Sequence, residues 1–285
     1  MGRGRKMIAV ASVLGALGGA SWLYCRARVR RLPPNCPARF LSGGGRRASR
    51  VVVCAGDSLT HGNLGFDYVG ALARRLGPEG FSFINAGVNG DLAYNLWKRM
   101  DSIVACHPDH IVVLIGINDV LALADAASMK RAGRMKGVPR PVDLEWFRDI
   151  MLNLVRESKM RTQASIALCS LPVLGDDPDD SNNDLVALFS ESIRSIAADE
   201  GIGYLPLFER MSDSLRANPW SPPTAFRPGR LPLCRAVFQR FILGWSVDTI
   251  SGNNRYRLTS DGIHLNSRGG WMMMELVENW LRHQG

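Results

Sequence analysis

The sequence predicts an α/β domain, with a five-stranded parallel sheet sandwiched between helices. Three observations predict it. Five short runs rich in Val and Ile are apolar on both faces, as strands covered on two sides must be. Segments of helical period separate these runs, and strand–helix alternation of this kind implies right-handed βαβ crossovers. Neither an internal repeat nor a low-complexity tract interrupts the alternation, so a single domain over 50–285 accounts for it.

The strand runs fall at 50–55, 81–86, 110–115, 165–171 and 202–207. After the first, Phe66, Val69, Leu72, Ala73 and Leu76 mark one helical face; after the second, Leu92, Leu96, Met100 and Ile103 mark another. Trp146, Ile150 and Leu154 follow the third, and Leu185, Leu188, Ile193 and Ile196 the fourth. A last helix is predicted over 267–283. The stretch at about 211–258 breaks this pattern and reads as an irregular insertion, with five prolines between 218 and 232. Within it "LPLCRAVFQRFILGW" places Leu233, Val237, Phe241 and Ile242 on one helical face and Arg235 and Arg240 elsewhere. It reads either as a helix packed on the core or as a basic amphipathic lid touching lipid.

The chain carries a net charge of +9, but eleven of its 35 basic residues and none of its 26 acidic ones lie within residues 1–50. The rest of the chain is close to neutral, which leaves no evident face for nucleic acid. The basic excess flanks an uncharged run of 18 residues, 7–24, ending in Trp22 and Tyr24. As a helix it would span roughly 27 Å, near the roughly 30 Å of a bilayer core. Residues 1–31 are therefore expected to be a single-pass membrane anchor, with a cleaved signal peptide as the alternative. Basic residues are denser after the run than before it, which leans the body toward the cytoplasmic side, an exported body being the alternative. Residues 32–49, rich in Pro and Gly, read as a linker. The six cysteines show neither a disulfide framework nor zinc spacing.

In open parallel sheets, ligands bind beyond the carboxyl ends of the strands. Four polar clusters are expected there: Gly56-Asp57-Ser58 after the first strand, "NAGVNGD" to Asp91 after the second, "GIND" at 116–119 after the third, and "DGIHLN" before the last helix. Each alone has an ordinary explanation as a turn or helix cap. Together they supply acyl-transfer chemistry. Serine is a weak nucleophile that needs a positioned base, which His264 can be. Asp261 can fix the imidazole tautomer. The backbone N–H groups of Ser58 and Gly90 and the Asn118 amide can converge on a tetrahedral oxyanion. Asp57 and Thr60 are assigned to shaping the loop.

These four blocks, in this order, resemble those of the SGNH (GDSL) hydrolase family over about residues 50–120 and 255–285. The resemblance implies a flavodoxin-like three-layer α/β/α sandwich around a five-stranded parallel sheet. It also implies Ser58, Asp261 and His264 as catalytic triad, and Ser58, Gly90 and Asn118 as oxyanion hole, with no metal and no cofactor. Other candidates are set aside: His61 as a loop residue, His107 and His110 as structural at the wrong end of their strand, and "GDDPDD" at 175–180 as a solvated turn. The expected partner is an ester substrate, with the anchor and the amphipathic segment favouring lipophilic acyl esters. A carbohydrate O-acetyl esterase or O-acyltransferase is the alternative. A non-catalytic binding protein is disfavoured because Ser58, Asp261 and His264 are all present.

Overall fold

The computed structural model describes residues 18–44, 50–218, 226 and 230–284. Five all-parallel strands, β1 (Arg50–Gly56), β2 (Phe81–Gly87), β3 (His110–Leu114), β4 (Ser165–Cys169) and β5 (Gly203–Leu205), stand in the order β2-β1-β3-β4-β5. This is the flavodoxin-like order, and it reverses direction between β1 and β3, where a crevice opens at the carboxyl ends. Gly56 is in register with both Gly87 and Leu114. Three loops therefore leave the sheet at one level, on either side of the switch point.

Helices cover both faces. On one side α4 (Tyr68–Leu76) packs against α14 (Ser267–Arg282), with α11 (Leu207–Ala217) beside it. Val69, Leu72, Met273, Val277 and Leu281 turn inward there. On the other, α5 (Ala93–Trp97), α9 (Leu144–Arg161) and α10 (Asn182–Asp199) pack together, with Phe147 and Phe189 4.7 Å apart between ring centroids. On α10, Ile193 and Ile196 are buried and Leu185 packs against the core as expected, whereas Leu188 is exposed and Val186 and Phe189 fill the core in its place. The helix expected over 92–103 is two short ones, α5 and α6 (Met100–Val104). The break at Arg99 sends its side chain back to the sheet edge, where it meets Asp91 and the Gly56 carbonyl.

The insertion is largely helical where it is described, comprising α11, α12 (Arg230–Phe241) and α13 (Val247–Asn254). The face that α12 buries carries Ala236 and Gln239, while Phe238 and Ile242 are exposed. Of the apolar face read from the sequence, Leu233, Val237 and Phe241 are half-buried and Ile242 is exposed.

The N-terminus departs from expectation. Residues 7–17 of the apolar run lie outside the described residues. Its remainder belongs to a helix, α1, helical over 18–30, which continues through Arg26, Arg28 and Arg30. The end of α1 is built into the body: Asn63 Nδ2 donates to the carbonyls of Arg28 and Val29, Asn89 Nδ2 donates to Val29, and His61 Nε2 meets the Arg31 carbonyl at 3.0 Å. Among the described residues, no helix is long and apolar enough to cross a membrane. The expectation of a single-pass N-terminal anchor holding the body at the cytoplasmic face is corrected accordingly. Within the stretch read as a linker, residues 35–42 are also docked. Asn35 bonds the outer edge of β2 at both Phe83 and Asn85, Cys36 is buried, and a short helix α2 (Pro37–Ser42) follows. The outer strand of the sheet is thereby covered, and an open edge would invite pairing with another chain.

Candidate active site

β1 ends in Gly56 because nothing larger fits: a Cβ there would lie 2.2 Å from the Leu114 carbonyl oxygen and 2.4 Å from Thr60 Oγ1. Gly87 in β2 meets the same limit, its Cβ falling 2.2 Å from the His61 nitrogen. Two glycines in register thus let the one-turn helix α3 (Ser58–His61) sit directly on the strand ends. Asp57 caps α3, its Oδ1 accepting from the Leu59 N–H at 2.9 Å, and Asn85 Nδ2 holds the Thr60 carbonyl at 2.8 Å. Ser58 is the first residue of this helix and only 6% exposed.

Asp261 and His264 arrive from the far end of the chain in a tight loop. Thr259 and Leu265 form an antiparallel bridge, and Ser260 donates its N–H to the His264 carbonyl at 2.7 Å. Asp261 Oδ1 accepts from the N–H groups of Ile263 and His264, which fixes the carboxylate before it reaches the ring. Its Oδ2 lies 2.8 Å from His264 Nδ1. An ionised carboxylate only accepts, so Nδ1 carries the proton and Nε2 is left as the acceptor for Ser58 Oγ, 2.9 Å away. Residues 206 apart in sequence form one relay. Burial alone would depress the His264 pKa, but the Asp261 charge and hydrogen bond outweigh it and raise the pKa above its ordinary value. Burial works the other way on Asp261, where the charge and hydrogen bond of His264 and two backbone donors hold the pKa below the usual range.

The other two predicted residues reach the same edge. Gly90 has φ +74°, a left-handed conformation that suits glycine. Asn118, in the first turn of α7 (Ile117–Ala124), donates from Nδ2 to Asp57 Oδ2 at 3.2 Å and to the Asp91 carbonyl at 3.0 Å. It therefore bridges residues adjacent to Ser58 and to Gly90. All five residues singled out in the sequence meet at the carboxyl ends of β1, β2 and β3. Among the described residues, no group of His, Cys, Asp and Glu is arranged to hold a metal ion.

Three parts of the site were missed in the sequence. Lys136, at the end of α8 (Ala126–Lys136), spans the Gly90 turn, its Nζ donating to the Asn89 carbonyl and to Asp91 Oδ1, both at 2.7 Å. Arg99 Nε pairs with Asp91 Oδ2 at 2.8 Å, so the buried Asp91 is held by two cations. Asp176, expected in a solvated turn, is 2% exposed. It accepts from the N–H groups of Arg257 and Leu258 and from Thr259 Oγ1, pinning the segment that leads into Asp261. Charge-rich spacing gave no hint of the role of Asp176. A lysine 46 residues from Gly90 leaves no local signal either. His110 behaves as expected, packing between Phe81 and Trp280 at the amino end of β3.

The sequence model of the GDSL-like Lipase/Acylhydrolase family matches residues 54–230. The chain belongs to this family. The span contains Ser58, Gly90 and Asn118, and the Asp261–His264 loop lies beyond it. Members of this GDSL-type family are serine ester hydrolases, and so is this chain. An acetylxylan esterase from Geobacillus stearothermophilus is 24% identical over 186 residues, covering 62% of this chain and 80% of that protein. The structure of Axe2, an acetylxylan esterase from the same organism, superposes with a TM-score of 0.57 at 18% identity, covering 81% of this chain and 94% of the other. A second acetyl xylan esterase, AlAXEase, gives 0.57 at 20% identity, covering 80% and 98%. At such identity these likenesses bear on the fold.

Proposed function

We propose that this GDSL hydrolase removes short acyl groups, acetyl foremost, from hydroxylated carbohydrate-like substrates. The observation that carries the reading is the relay from Ser58 Oγ through His264 to Asp261, at 2.9 and 2.8 Å. In this reading His264 Nε2 takes the Ser58 proton as Oγ attacks the ester carbonyl, and Asp261 stabilises the imidazolium that forms. His264 then returns the proton to the leaving alcohol, and water releases the acyl group by the same route. The backbone N–H groups of Ser58 and Gly90 and the Asn118 amide hold the oxyanion. Asn118 exchanges its longer contact, to Asp57, for the substrate. The choice of acyl group and alcohol is supported by the names of the three proteins described above, each an acetylxylan esterase.

A second reading, hydrolysis of lipophilic acyl esters, is favoured by the exposed Phe238, Ile242 and Leu243 at the end of α12. Purified protein assayed on p-nitrophenyl esters from two to twelve carbons, and on acetylated xylo-oligosaccharides, separates the two. The proposal expects a maximum at acetyl, deacetylation of the oligosaccharides and loss of both activities in Ser58→Ala. An optimum at eight carbons or more supports the lipid reading. Equal rates for wild type and Ser58→Ala overturn both.

A further inference from the structure

Two arginines meet where α1 crosses α12. The Arg28 guanidinium lies over the Phe241 ring, 5.7 Å from its centroid, and its Nε is buried without a hydrogen-bond partner. Arg240 donates Nη1 to the Trp245 carbonyl, and burial together with the Arg28 charge lowers its pKa. Among the described residues, no carboxylate pairs with either arginine. Two half-buried like charges without a counter-charge repel each other and lose hydration, an arrangement that an anion would relieve.

The surroundings supply acceptors as well. His61 and Asn89 both bond the end of α1, next to Arg28. Burial lowers the His61 pKa, so the ring is neutral, and it donates Nε2–H to the Arg31 carbonyl. Its buried Nδ1 is left as a bare acceptor with no partner. Asn89 spends Nδ2 on Val29 and Asn63, and its Oδ1 is also buried and unpartnered. Unmet buried polar atoms are rare enough to call for a ligand or water. Three of them, Arg28 Nε, His61 Nδ1 and Asn89 Oδ1, belong to one junction. That junction adjoins the reaction site: His61 is one helical turn after Ser58, and Asn89 immediately precedes Gly90.

We propose that this junction is a subsite for the alcohol portion of the ester, in which Arg28 and Arg240 bind an anionic group and His61 Nδ1 and Asn89 Oδ1 accept from neighbouring hydroxyls. The ligand class is a hydroxylated anion, either an acidic sugar with a carboxylate or a glycerol-type phosphate. Its place in turnover rests on Ser58 being the esterase nucleophile; its existence as a binding site does not.

Calorimetric titration of the full chain with glucuronate and with glycerol 3-phosphate, against xylose and glycerol as neutral counterparts, tests it. At least one anion is expected to bind tenfold or more tightly than its neutral counterpart, and less tightly as salt rises. Stronger binding of glucuronate assigns an acidic sugar, and stronger binding of glycerol 3-phosphate a phosphate-bearing alcohol. Arg28→Gln and Arg240→Gln are each expected to lower that affinity at least tenfold, with folding checked by circular dichroism. Arg194→Gln, which removes an exposed arginine paired with Glu191, leaves it unchanged. The Ser58→Ala protein should bind as wild type does, so a failure of ester hydrolysis leaves this test standing. Equal affinity for anion and neutral counterpart, or anion binding indifferent to both arginine variants, overturns the proposal. If either variant fails to fold, the wild-type titrations decide, and anion binding that salt does not weaken counts against it.

Discussion

Asn118 Nδ2 lies 3.2 Å from Asp57 Oδ2, so the amide proposed to hold the oxyanion rests on the carboxylate that precedes the nucleophile in sequence. The same nitrogen meets the Asp91 carbonyl. Asn118 is thus aimed before substrate arrives, and the oxyanion need only replace one existing contact. Asn118→Ala is expected to reduce kcat on p-nitrophenyl acetate by about 10² to 10³ while KM changes by less than about threefold, the pattern of a donor used in the transition state. A loss confined to KM would show that Asn118 binds substrate without stabilising the oxyanion.

The pH profile follows from the His264–Asp261 pair. His264 works as a base only when neutral, and Asp261 raises its pKa above 6.5, outweighing burial. Activity should therefore fall on the acid side of a limb centred above 6.5, measured as kcat/KM in the free enzyme. Asp261→Asn removes the charge and should move that limb to lower pH, with kcat falling by about 10⁴ because the wrong tautomer is favoured. An unmoved limb in Asp261→Asn would assign the titration to another group.

Asp57 gives a separate pH signature, in stability. It is fully buried, and burial is the chief cause that raises its pKa to about 7; nearby Asp91 adds to the rise, while the Leu59 N–H, His264 and Asn118 oppose it. The folded protein holds this proton up to about pH 7, whereas the unfolded chain releases it near 3.8. Between these values the native state binds more protons, so this group makes stability fall as pH rises. Asp57→Asn keeps the shape without the ionisation. Its melting temperature relative to wild type should improve from pH 5 to about pH 7 and level off above that. A constant difference across that range would mean that Asp57 titrates alike in both states.

The sheet was legible because its strands are buried on both faces, which leaves unbroken apolar runs such as Val51–Val53, all fully buried. The five candidate residues could be singled out because each follows a strand or precedes a helix, where local sequence sets the turn. The docking of the end of α1 was not legible, because nothing in the basic stretch after the uncharged run marks the side chains that hold its backbone. What decided it was distant: Asn63 and Asn89 reaching the carbonyls of Arg28 and Val29. Lys136 and Asp176 escaped for the same reason. Their partners lie 45 to 83 positions away in sequence, and nothing local marks a side chain that serves a remote backbone.

Asp176 is where that kind of long-range support is most exposed to test. Its φ of +56° is left-handed, which aspartate tolerates better than most residues, and the preceding Gly175 donates its N–H to the Gly262 carbonyl at 2.8 Å. The loop therefore clamps both ends of the segment that carries Asp261. Burial raises the Asp176 pKa, opposed by the donors from Leu258, Arg257 and Thr259. Asp176→Ala would leave two backbone N–H groups and one hydroxyl buried without an acceptor, at a cost of about 2–4 kcal/mol in unfolding free energy. The Asp261–His264 pair would lose its fixed distance from Ser58, so kcat should fall well beyond what the stability loss explains at 25 °C. Asp176→Asn keeps one acceptor oxygen and should recover part of both. Denaturant unfolding and p-nitrophenyl acetate kinetics on the two variants measure each effect. Full activity in a destabilised Asp176→Ala protein would show that the clamp holds the fold and not the relay.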